Sequence, residues 1–147
     1  IYTKIKILKQ YWLPILVGCT AGSAASMLSV YGMCRLFGLD ESLTISLIPK
    51  SVTTPIAVSI AEPARGMVPI TVVAVIGTGI LGSIIAPLLI RVFKVTDPMA
   101  AGLAIGASSH AVGTSKAIEL GEVEGAMSGL AIGVCGIITV LISMLIL

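Results

Sequence analysis

The sequence predicts an all-α membrane protein, a multi-span helical bundle with two broken or re-entrant segments, and three observations predict it. Of its 147 residues 56% are hydrophobic and 11% charged, with a mean hydropathy of +1.11, whereas a soluble domain carries about a quarter charged residues. Uncharged runs extend from Gln10 to Cys34, from Gly66 to Ile90 and from Gly125 to Leu147. Each is long enough to cross a hydrocarbon core, which takes about 20 apolar residues as helix. Between these runs lie two further stretches of membrane length, 42–61 and 98–117, interrupted by proline, glycine and polar side chains. A soluble helical core is excluded, because so short a chain would have to bury three such runs with little polar surface to cover them.

The first span, about 10–34, opens on Tyr11 and Trp12, whose amphipathic rings favour the membrane interface. Lys4, Lys6 and Lys9 followed by apolar residues and the small-residue string AGSAAS also fit a secretory signal peptide, but the run is long enough to stay in the bilayer. The chain begins with Ile1 and not Met, so a further amino-terminal part of the natural protein is expected. The other spans, about 66–90 and 125–147, are rich in glycine. Gly129 and Gly133, four apart, fit a face on which helix backbones approach closely; the alternative is the general tolerance of membrane helices for glycine. Residues 1–147 read as a single transmembrane domain.

In the first interrupted stretch, Pro49 and Pro55 each remove a backbone donor and disfavour helix in the residue before, so no continuous helix is expected through Pro49-Lys50-Ser51-Val52-Thr53-Thr54-Pro55. In the second, Gly102, Gly106 and Gly113 weaken the helix while Ser108, Ser109, Thr114 and Ser115 compete for its backbone. Irregular backbone at membrane depth survives only where protein or a water-filled cavity satisfies it, so a site is expected there. A shift of 60 residues brings Lys50 onto His110, Val52 onto Val112, Thr54 onto Thr114 and Ala57 onto Ala117. This suggests a broken segment followed by a span, occurring twice, as in transporters built from inverted repeats. A re-entrant 42–61 would gather Lys4, Lys6, Lys9, Arg91 and Lys94 on the cytoplasmic side, leaving Arg35 and Arg65 opposite, which the positive-inside rule favours.

Ionisable groups at membrane depth mark solute, ion or proton paths, and Lys50, His110 and Lys116 qualify by position. Blander roles are snorkelling of the two lysines to the interface and a neutral His110 bonding between helices. Each stretch pairs its cation with hydroxyls: Ser51, Thr53 and Thr54 in the first, Ser109, Thr114 and Ser115 beside Gly113 in the second. Such donors near ends of broken helices suit a carboxylate, and His110 could couple a proton to its movement. Glu62 and Glu119 read as interfacial. A net charge of +2 with scattered Lys and Arg excludes a nucleic-acid footprint. Cys19, Cys34 and Cys135 lack metal or redox spacing, and with one His and no hydrolase or phosphate-loop motif neither an enzyme, a metal nor a cofactor is expected.

The strings PKSVTTPIAVSIAEPARG (49–66), ASSHAVGTSKAIELGEVEGAMSGLA (107–131) and KQYWLPILVGCTAGS (9–23) resemble the LrgB/CidB family over nearly the whole chain. The resemblance implies a longer amino terminus than this chain has. It also implies residence in a bacterial plasma membrane and one of two activities. Bacterial members are described as holin- or antiholin-like modulators of murein hydrolase activity and autolysis, acting with a small LrgA/CidA-type partner; the sequence leaves the oligomeric state open, a homo-oligomer included. A plant plastid relative is a glycolate/glycerate translocator, and bacterial relatives are linked to pyruvate and other small carboxylates. One departure stands out: Ala64-Arg65 occupy a turn where a Gly-Gly-like pair is expected.

Overall fold

The computed structural model describes the backbone of residues 5–147 and the side chains from Tyr11 onward; the side chains of Lys4, Lys6 and Lys9 lie outside the described residues. The described chain forms six helices and no strand: α1 (Ile5–Leu36), α2 (Glu41–Leu47), α3 (Thr54–Ala61), α4 (Val68–Val92), α5 (Pro98–Leu120) and α6 (Glu122–Ile146). Three of them, α1 from Tyr11, α4 and α6, are long and apolar enough to cross a membrane. Only 11% of the apolar window of α4 is buried, and Val73, Ile80, Leu81, Ile84 and Leu88 point outward. A surface so apolar needs hydrocarbon around it and not water. The protein is an all-α, multi-pass membrane protein.

Local chemistry sets the boundaries. In α1, Pro14 cannot donate to the carbonyl of residue 10, and the backbone departs from helix at Tyr11 (φ −114°, ψ 19°). Asp40 caps α2 by accepting from Leu43 N at 3.1 Å. Pro55 stands in the first turn of α3, where its missing N–H leaves no bond unmade. The turn into α4 is held from α2: fully buried Ser46 accepts from Met67 N at 2.6 Å and donates to Ser42 O at 2.6 Å, while Ser42 donates to Arg65 O at 3.0 Å. Arg65 takes φ 67°, a left-handed conformation that glycine adopts at no steric cost. The departure at Ala64-Arg65 therefore falls on the residue where glycine is the natural choice.

Helix α5 lies between α4 and α6 and makes its most extensive contact with α6. Gly102 and Gly106, expected to weaken it, remain helical, and α6 comes so close that a Cβ on either would strike the backbone of Glu124 or Ser128. This is the small-residue approach by which membrane helices associate. Of the two readings of Gly129 and Gly133, the arrangement fits the general tolerance of membrane helices for glycine, because neither has an atom within 4 Å of the place a Cβ would take. Buried Met127, Ala131 and Cys135 point α6 towards Ile15 and Cys19 of α1, which turns Gly129 and Gly133 outward.

Candidate functional site

The two interrupted stretches depart from helix in different ways. Residues 48–53 form an open link between α2 and α3, closed only by weak turns such as Lys50 N to Leu47 O at 3.2 Å and Val52 N to Pro49 O at 3.3 Å. In α5 one residue, His110, departs from helix (φ 42°, ψ −138°). Within a helix of L-residues that conformation is strained, and it re-aims the segment that follows.

The link meets α1 and the first half of α5 across a groove of about 530 Å³. Gly18 and Gly22 of α1 face Leu103 and Ala107 of α5 at its apolar end, and Ser26, Lys50, Ser51 and Ser108 supply its polar end. Ser26 and Ser51 share a hydrogen bond of 2.7 Å that ties the link to α1. Lys50 Nζ, partly buried, approaches Ser51 Oγ at 3.4 Å, a weak contact that leaves ammonium hydrogens for another acceptor. The other lysine of the interrupted stretches, half-buried Lys116, pairs with exposed Glu119 at 2.6 Å.

The predicted site residues thus divide into two groups. Lys50 and Ser51 line the groove. Thr53 is the residue before α3, without a side-chain cap bond, and Thr54 is the first of that helix; neither lines the groove. Ser109 is buried against Gly82 and Gly113, with Ser108 Oγ at 3.1 Å. His110 is 4% exposed and turns to α4, where Val75 O accepts from its Nε2 at 2.9 Å. A carbonyl can only accept, so Nε2 carries the hydrogen and Nδ1 is the nitrogen that could take a further proton. Thr114 donates to His110 O at 2.9 Å and pairs with Ser128 of α6 at 2.7 Å. Ser115 is exposed, and Lys116 is occupied by Glu119.

Gly18, Gly22 and Ser26 are not among the site residues expected from the sequence, and Ser108 is expected there only as a competitor for the helix backbone. A signal was present: Gly18, Gly22 and Ser26 recur every four residues and so share one helix face. Among the described residues no cluster of His, Cys, Asp or Glu could hold a metal ion.

Comparison with known proteins agrees with this picture of a membrane chain. The family model described as LrgB-like family matches residues 1–147. The chain is 38% identical over 142 residues to the antiholin-like protein LrgB of Bacillus mycoides (strain KBAB4), covering 97% of this chain and 62% of that protein. It is 37% identical, with the same coverage, to the proteins of that name from Bacillus cereus (strain B4264) and Bacillus anthracis (strain CDC 684 / NRRL 3495). The chain thus spans 62% of the length of these curated relatives. No solved structure matches it. With the match running from its first residue to its last, the chain belongs to the LrgB-like family.

Proposed function

We propose that the protein moves small monocarboxylates of the glycolate, glycerate or pyruvate type across the plasma membrane, with the solute held at the polar end of the groove. The observation that carries this reading is Lys50: a partly buried ammonium on a helix break, with no carboxylate bonded to it among the described residues and with Ser26, Ser51 and Ser108 lining the same groove. A carboxylate there gains charge-assisted hydrogen bonds from the ammonium and from the one free hydrogen of the Ser26–Ser51 pair, while Ser108 gives its own hydrogen to Ala104 O at 2.8 Å. An unpaired cation at membrane depth is otherwise expensive to keep. His110, with Nδ1 available, is the proton-coupling residue in this reading, and Thr53, Thr54, Ser109, Gly113, Thr114, Ser115 and Lys116, which do not line the groove, are the solute's further contacts as it passes between 49–55 and 109–116.

The same reading takes 42–61 as re-entrant, and α3–α4 and α5–α6 as two copies of one unit. Support comes from their form: α4 and α6 are each 25 residues long, and each follows a break that holds Lys50 or His110. The test is uptake of labelled glycolate, glycerate and pyruvate by proteoliposomes containing the complete natural protein. Saturable flux that falls when Lys50 is changed to Gln is expected. Absence of flux for every carboxylate would sink the proposal.

A second reading is favoured by the relatives' name, antiholin-like: the protein restrains cell lysis and murein hydrolase activity through a small LrgA/CidA-type membrane partner. A Lys50→Gln variant without transport that still restrains lysis when the partner is present would favour this second reading.

A further inference from the structure

Behind the groove, on the inner side of the Ser26–Ser51 pair, lies a small cavity where α1, the link and α6 cross. It has room for the centre of one water-sized sphere, about 10 Å³, which is the least space that holds a water molecule. Its lining is unusually polar for the middle of a membrane bundle, with the hydroxyls of Ser23, Ser26, Ser51 and Thr139. Ser23 is 3% exposed, and its Oγ is buried without a hydrogen-bond partner among the described residues. Cys135, also in the lining, is a weak sulfur acceptor beside Ser23 and aims its own hydrogen at Cys19 O, 3.9 Å away. A buried hydroxyl with no partner but a thiol is unfavourable, whereas one bonded to an ordered water is not.

We propose that this cavity is a binding site for a single ordered water, anchored by Ser23 and joining the hydroxyls of α1, the link and α6 into one network. Ser26 and Ser51 form the wall between cavity and groove, because both line each of them. Their two hydroxyls carry two hydrogens, and the 2.7 Å bond between them uses one. The other is free to point to the water on one side or to a ligand in the groove on the other. The water thus satisfies the serine pair when the groove holds no anion and releases that hydrogen when it does. The water site itself stands on geometry alone and does not depend on the transport reading.

Pulsed X-ray hydroxyl-radical labelling of the detergent-solubilised natural protein tests it, since radicals formed from a bound water oxidise the side chains beside it. Met27 and Cys135 line the cavity, while Met127 and Cys34 are comparably buried outside it. Met27 and Cys135 should oxidise at least fivefold faster than Met127 and Cys34. They should also take up ¹⁸O from freshly mixed labelled water more slowly than exposed Met33. Equal oxidation of the two pairs overturns the proposal. Ser23→Ala tests the anchor: a lower unfolding temperature is expected, because the water loses a partner. A higher one overturns Ser23 as anchor, since it would mean that deleting an unbonded hydroxyl relieves a penalty.

Discussion

Gly79 of α4 leaves open the space that the imidazole of His110 fills. A Cβ at Gly79 would lie 2.6 Å from His110 Cε1, and one turn earlier Val75 O accepts from His110 Nε2 at 2.9 Å. The ring is thus seated by a missing side chain and held by a backbone bond. Gly79→Ala should destabilise the protein by about 1–3 kcal/mol, the usual penalty of overpacking, read as a lower unfolding temperature in detergent. Adding His110→Gly should recover part of the loss, because it removes both the clashing ring and the positive φ. A double variant no more stable than Gly79→Ala would show that the contact with Val112, whose Cβ would lie 2.9 Å from the new methyl, and not the ring, sets the penalty.

Lys50 and Lys116 should behave differently although both sit beside hydroxyl-rich sequence. Lys50→Met should raise the KM for carboxylate uptake at least tenfold, equivalent to about 1.4 kcal/mol, with Lys50→Arg retaining part of the affinity. Lys116→Met breaks an exposed pair with Glu119 and should change stability by no more than about 0.5 kcal/mol.

Thr114 and Ser128 form the hydroxyl pair between α5 and α6. Thr114→Val should destabilise more than Ser128→Ala, since it leaves the fully buried Ser128 hydroxyl without its partner, whereas Thr114 keeps its bond to His110 O when Ser128 is lost. The double variant should be about 1 kcal/mol less damaging than the sum of the two, a coupling that a double-mutant cycle measures directly. Strict additivity would mean that the bond contributes nothing.

Arg65 closes the turn between α3 and α4 with φ 67°, and its side chain is exposed. Arg65→Gly should stabilise by about 0.5–1 kcal/mol, because removing the left-handed penalty of an L-residue outweighs the added freedom of the unfolded chain. Arg65→Val should destabilise, since a β-branched side chain suits that conformation least. The measurement is the unfolding temperature of the two variants beside the parent protein.

What the sequence by itself determined is what adds up along the chain. Membrane residence follows from the uncharged runs because transfer into hydrocarbon is a sum over neighbouring residues. The interruption at Pro49–Pro55 follows because a missing N–H acts on its own turn. Family membership was legible for a similar reason, in contiguous strings such as SHAVGTSKA. The tertiary structure alone decided which residues meet: Ser26 with Ser51, His110 with Val75, and Lys116 with Glu119 instead of the groove. It also decided that Gly102 and Gly106 receive a neighbour while Gly129 and Gly133 face outward. Both pairs share the same four-residue spacing, so sequence cannot rank them. The rotation of each helix about its own axis is settled only when all its neighbours compete for its faces, and that rotation places a hydroxyl in a groove or a glycine against a ring.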